Sequence, residues 1–199
     1  MHGRRPTSTS NSIFGEIMPR PKTVSDEEVL GAALDVMASR GMIFTLSDIA
    51  RHVGLSRATL IQRFGDRDSI LRRIAEQEVE ATRLWLEGLP IIEGDDALWQ
   101  FLEMIVSSMG QGDGFSARVQ IAAFESRDAK LRSLAAQRYA LVQKAIAARI
   151  PNNAERFETS QHLHAIIAGA TMQWVVTDGS EGLSDFVLRR LRWAVDNLA

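Results

Sequence analysis

Cysteine is absent from the 199 residues. That excludes disulfides, thiolate metal sites and a cysteine nucleophile, and it fits a reducing cytosol. Histidine is scarce, with four residues to serve as soft ligands. Long apolar runs are missing too. The opening "MHGRRPTSTSNSIFGEIMPRPK" carries arginines but no hydrophobic signal-peptide core, and "AIIAGATMQWVV", the most apolar later stretch, is too short and interrupted to span a bilayer. A cytoplasmic protein without membrane contact is expected. There is no phosphate loop and no nucleophile–base spacing, so neither an enzyme nor a bound cofactor is expected. Alternating runs that would signal strands, and repeats of fixed period, are also lacking.

What the chain has is enough apolar material for a sizeable core, 45% of its residues. Its net charge of −2 is unevenly spread. Residues 1–67 hold nine Lys/Arg against seven Asp/Glu, and the remainder fourteen against eighteen, so the front third is the more cationic part. Residues 1–23, rich in Ser, Thr, Pro and Arg, lack a helical period and read as a flexible arm. Arg4, Arg5, Arg20 and Lys22 on it suit phosphates or a minor groove. Met18 opens "MPRPKTVSDEEVL" and offers a second start.

From Ser25 the pattern is helical. Ser25 and Glu28 have capping-box spacing, apolar residues recur at Val29, Ala32, Ala33, Val36 and Met37, and Gly41 ends the stripe. Thr45 and Asp48 repeat the cap before Leu46, Ile49, Ala50 and Val53, and Gly54 breaks the pattern. Ser56 caps a third helix with Leu60 and Phe64. Asp66 caps a fourth that runs to about Glu87. Further helical patterns lie near 96–109, 116–125, 128–149, 155–177 and 183–198, separated by "GLPIIEGDD", "GQGDG" and "IPNNA". The expectation is an all-α fold of about nine helices.

Helices of two turns are marginal alone. Joined by a tight turn at Gly54 and Leu55, they fit a helix-turn-helix, in which a shared core of Ile49, Ala50, Val53, Leu60, Phe64, Val29, Ala33 and Val36 fixes the crossing angle. That core leaves Arg57, Ala58, Thr59, Gln62 and Arg63 outside, with Ser56 and Arg67 at neighbouring helix N-termini. Arg bonds guanine bidentately, Gln suits adenine, and small Ala58 allows close approach to the duplex. Thr59, Arg63 and Arg67 suit phosphate oxygens.

"TLSDIARHVGLSRATLIQRFGDRDSIL", preceded by "SDEEVLGAALDVMASRG", resembles the DNA-binding domain of the TetR family of bacterial transcriptional regulators. The resemblance covers residues 24 to about 72 and keeps Gly41, Thr45, Ile49, Ala50, Gly54, Ser56, Thr59, Leu60, Phe64, Gly65 and Arg67 in register. It implies a flexible arm at 1–23, a three-helix DNA-binding head at 24–72 and a larger helical ligand-binding and dimerisation body at 73–199. By the same resemblance Thr45, Ser56, Arg57, Ala58, Thr59, Gln62, Arg63 and Arg67 are the DNA-binding candidates. One departure is Ile61, where the family commonly has a tyrosine: Ile61 has no hydroxyl for a phosphate, and Arg63 is the candidate to compensate.

The resemblance further implies a homodimer acting on a double-stranded DNA operator under control of a small-molecule effector. Small residues (Ala165, Ala168, Gly169) and apolar ones (Leu163, Ile166, Leu188, Leu191, Val195) in the last two helical patterns suit a four-helix interface between copies. Trp99, Phe101, Met104, Phe124 and Trp174 are the leading candidates to line an effector pocket, with Trp85, Met109 and Phe115 behind them; a largely apolar effector is expected. His162 and His164, two apart on a helix, point in different directions and do not chelate together, so no metal is expected. Glu76 and Glu80 share a face, but arginines surround them and they read as solvated surface. The competing functions are an activator, an enzyme or ligand carrier that retains a helical head, and a helical protein-interaction module.

Overall fold

The computed structural model describes residues 24–110, 115–177 and 181–197, without the side chains of 115–118 and 120. Among the described residues there are nine α-helices and no strand: α1 (Asp26–Arg40), α2 (Leu46–Val53), α3 (Arg57–Phe64), α4 (Arg67–Glu87), α5 (Asp95–Ser107), α6 (Phe115–Glu125), α7 (Ala129–Ala147), α8 (Arg156–Val176) and α9 (Leu183–Asn197). A 3-10 turn over Gly41–Ile43 follows α1. The all-α expectation holds, and no described helix is long and apolar enough to cross a membrane. The arm with Arg4, Arg5, Arg20 and Lys22 lies outside the described residues, as does the side chain of Phe115.

The helices start where the caps put them. Ser25 Oγ accepts from Glu28 N–H at 3.0 Å while Glu28 Oε2 accepts from Ser25 N–H at 2.7 Å, which satisfies two donors at the head of α1. Thr45 and Asp48 do the same for α2, with Asp replacing the longer Glu of the usual box. Ser56 and Asp66 cap α3 and α4 through the amides of Thr59 and Ser69. Gly54 ends α2 in the left-handed region at φ 71°, where a Cβ would strain the backbone, and so sets the corner between α2 and α3.

Packing then fixes these helices in a common core. Val29, Ala33, Val36, Met37, Ile49, Ala50, Leu60, Phe64, Ile70 and Leu71 are buried together, α1 to α4 each contributing. Ile121 and Phe124 of α6 pack against this cluster. A second cluster gathers Leu98, Phe101, Leu102 and Val106 of α5, Ile146 of α7, Leu163 and Ile167 of α8 and Leu183, Val187 and Leu191 of α9. Between them Ala75 and Val79 of α4 meet Leu131 and Leu134 of α7 and, again, Phe124. The long α4 leaves the first core and packs along α7, while α8 packs on both α7 and α9. The first core is thus joined to the rest of the described helices by α4 and by the C-terminal end of α6.

Candidate functional site

The outer surface of α3 carries Arg57, Ala58, Ile61 and Gln62, all exposed, while Leu60 and Phe64 face the core. This follows from the helical period: positions 60 and 64 form the buried stripe, and positions 57, 58, 61 and 62 fall opposite. Arg57 has no ion-pair partner among the described residues, and Gln62 has no side-chain hydrogen bond there. At the N-terminal end, Ser56 is exposed, Thr59 is half-buried, and their hydroxyls lie 2.8 Å apart. Thr45, at the start of α2, is exposed and donates its hydroxyl to Asp48 Oδ2 at 2.7 Å. That bond, then the Thr45 amide and the charges of Arg40 and Arg51, hold the Asp48 carboxyl below the usual carboxylate range.

Arg63 and Arg67 are placed differently from the sequence expectation of outward phosphate contacts. Arg63 turns back to α1: its Nε donates to Asp26 Oδ1 at 3.0 Å, its Nη2 donates to the same oxygen, and its Nη1 donates to the Val24 carbonyl at 2.9 Å. Arg73 of α4 joins the same carboxylate at 3.0 Å. The bond from Arg63, aided by both guanidinium charges, lowers the Asp26 pKa. Arg63 therefore ties α3 to α1 and to Val24, which precedes it. Arg67 donates to the Met42 carbonyl at 2.8 Å, and its guanidinium lies 5.1 Å from the ring centre of Phe44 and 5.4 Å from that of Phe124. It is a clamp between the first four helices and α6.

A cavity of about 440 Å3 is walled by α4, α6, α7 and α8 and by Met109, just beyond α5. Its lining is mostly small or apolar, with Ala81, Ala122, Ile167 and Ala168 typical. Arg138 on its wall donates to Glu78 Oε2 at 2.7 Å and lies 3.5 Å from both carboxylate oxygens of Glu125. Glu125 is 3% exposed, and burial raises its pKa against the pull of Arg138. His164 meets the Tyr139 ring edge-on at 5.2 Å between centres, and burial together with Arg138 lowers its pKa. A chamber of this size, shape and mixed lining suits a small organic molecule.

None of the five leading pocket candidates lines this cavity. Phe101 is buried in the second core, and Trp99 and Trp174 pack against that core, Trp174 donating its indole N–H to the Glu181 carbonyl at 2.8 Å. Met104 is exposed on the other side of α5, and Phe124 is spent between the two cores. Of the three secondary candidates, Met109 does line it, whereas Trp85 packs on the second core. Glu78, Arg138, Tyr139 and His164 carry no sequence motif, and only their convergence in space marks them. His162 and His164 diverge as their spacing requires: His164 lines the cavity, while His162 lines a separate surface hollow with Trp193. Among the described residues no group of three or more His, Asp and Glu is arranged to hold a metal ion.

Comparison with known proteins bears on this arrangement. Residues 29–74 match the sequence profile of the bacterial regulatory proteins of the tetR family. No curated protein matches the chain significantly. Among solved structures, a protein described as a TetR-family transcriptional regulator from Rhodococcus sp. superposes with a TM-score of 0.67 at 20% identity, over 86% of this chain and 96% of that one. A transcriptional regulator from Saccharomonospora viridis, solved in complex with choline, gives the same score and identity over 86% and 95%. The regulator FadR from Bacillus subtilis, in complex with stearoyl-CoA, gives 0.65 at 16% over 88% and 100%. Residues 29–74 are thus similar to the bacterial regulatory proteins of the tetR family, and the described helices carry the fold of those solved structures.

Proposed function

We propose that the chain is a ligand-responsive transcriptional repressor that binds a palindromic operator as a homodimer and is released by a small molecule held in the body. The observation that carries this reading is one molecule having both an exposed, uncommitted polar face on α3 and a chamber of about 440 Å3 in the body. Arg57 and Gln62 would read bases, and Ser56, Thr59 and Thr45 would meet the phosphates that flank them. The division at residue 72 into a DNA-binding head and a ligand-binding, dimerising body is part of the same reading. So is a cytoplasmic location.

Two further facts support it. Solved proteins of this fold hold choline and stearoyl-CoA, so the fold can accommodate small-molecule ligands. On α8 and α9 an apolar hollow lined by Ala165, Ile166, Trp193 and Ala194 opens at the surface, and Trp193 is 70% exposed there. A second copy packed on that face would bury it and would set two reading helices roughly 34–36 Å apart, one turn of DNA.

The deciding experiment is a mobility shift on the DNA upstream of the protein's own gene. A retarded band that unlabelled upstream DNA removes and unrelated DNA does not is the expected result. Binding that unrelated DNA competes away equally would overturn the reading and favour a helical ligand carrier.

A further inference from the structure

The cavity's charges point to the kind of molecule it takes, and this inference rests on the ligand-binding reading above. Glu78 and Glu125 sit on the same guanidinium, that of Arg138, the first at 2.7 Å and the second at 3.5 Å. Among the described residues the wall and its immediate support therefore carry two carboxyl groups for one fixed cation. The phenol of Tyr139 brings no cation to the wall, and burial and the nearby Arg138 disfavour a positive charge on His164. Glu125 is nearly out of contact with water, and the long contact to Arg138 compensates its charge only in part.

The three ligand charges differ in what they do to this arrangement. An anion would have to draw Arg138 away from Glu78, leaving two carboxyl groups beside one another in a partly desolvated wall. A neutral molecule would leave the imbalance as it stands. A cation would supply the missing positive charge and take Glu78 as its counter-ion, near the Tyr139 ring that the Arg138 guanidinium already approaches at 5.8 Å. The rest of the lining, from Val119, Ile121, Ile167 and Met172, suits an apolar body attached to that charge.

We propose that the cavity takes a singly charged organic cation, a protonated amine or a quaternary ammonium with an apolar body, with Glu78 as its counter-ion.

The test is calorimetric titration of the full chain with four probes sharing one apolar body: phenylbutylamine, its trimethylammonium counterpart, the matching alcohol and phenylbutyrate. Both cations should bind at least about tenfold more tightly than the alcohol, and the alcohol more tightly than the carboxylate. A preference between the two cations identifies which form of nitrogen the site selects. Glu78→Gln should remove about tenfold from cation binding while leaving the alcohol within a factor of about two. Ala122→Phe, which fills the chamber, should abolish binding of all four and so separates the cavity from any surface site. Unchanged melting of both variants, read by circular dichroism, shows that the fold persists. If the alcohol or phenylbutyrate binds tightest, or if Glu78→Gln spares the cations, the charge inference falls and the pocket reading stands. Absence of binding by all four at millimolar concentration overturns both.

Discussion

Among the described residues, Arg57 and Gln62 are exposed polar side chains of α3 without an ion pair or side-chain hydrogen bond, and in the proposed function they carry sequence preference. Replacing either by Ala should cost about 1–3 kcal/mol in discrimination between operator and unrelated DNA and leave the melting temperature unchanged, measured by fluorescence anisotropy and thermal melting. Arg63→Ala should behave in the opposite way. It breaks the bridge to Asp26 and the bond to the Val24 carbonyl, so melting temperature and affinity for all DNA should fall together while the salt dependence of binding keeps its slope. A slope reduced by about one would instead make Arg63 a phosphate contact. Sequence alone marks Arg63 as a cation on the correct helix, but its partner Asp26 lies 37 positions away and no local pattern announces the pair. The pocket was illegible for a related reason: a void forms where side chains are small, at Ala81, Ala122 and Ala168, whereas bulky Trp99 and Phe101 fill the core they help to build. Glu125 supplies a prediction of its own. Burial raises its folded-state pKa, so the folded protein holds that proton more firmly than the unfolded chain, and stability declines as pH rises from the ordinary glutamate range through the raised value. Glu125→Gln should therefore melt at a higher temperature than the natural protein at neutral pH, with the gain vanishing toward about pH 3, where the carboxyl is protonated in both states.

At the scale of elements, the proposed function makes the angle between α2 and α3 decide whether the exposed face enters a groove. That angle rests on Gly54, which lies at φ 71° with open space where a Cβ would stand. Gly54→Ala should consequently cost only its conformational strain, roughly 1–2 kcal/mol, visible as a lower urea midpoint, with a further loss of operator affinity if the corner opens to relieve that strain. Phe64, buried across the corner, is the larger support, and truncation to Ala should cost about 3–5 kcal/mol. These elements were legible because their signals are local. Ser25 with Glu28, Thr45 with Asp48, Ser56, Asp66 and the glycines at 41, 54 and 65 each act within four residues, and helices begin or end at every one of them. In the body, the patterns near 96–109, 116–125, 128–149, 155–177 and 183–198 likewise fall on α5 to α9. What periodicity cannot supply is which helices touch. The placement of α6 against the first core and the α4–α7 contact depends on Ile121 and Phe124 meeting residues from α1, α4 and α7 that are distant in sequence.

At the scale of the molecule, the cavity and the first core are joined by contiguous contacts. Glu125, held by Arg138 on the cavity wall, adjoins Phe124; Phe124 lies against the Arg67 guanidinium; Arg67 grips the Met42 carbonyl and Phe44. A ligand that shifts α6 has a physical route to the first four helices, but a shift within one copy changes operator affinity chiefly if two heads are held at a fixed distance. The proposed repressor therefore stands or falls with its dimer. Trp193 tests this because it is 70% exposed on a lone chain and lines the apolar hollow of α8 and α9. Trp193→Glu removes little internal packing from a single copy, yet it would bury a carboxylate on each side of the proposed twofold interface, which apolar contacts cannot compensate. Sedimentation velocity should show the natural chain at twice the mass of one copy and the variant at one. Secondary structure by circular dichroism should be unchanged, and the melting temperature should become independent of protein concentration. The variant's affinity for a full operator should fall toward that for a half-site, because each head then binds without the other. A variant that remains a dimer would move the interface off α8 and α9 and with it the spacing argued for the two reading helices.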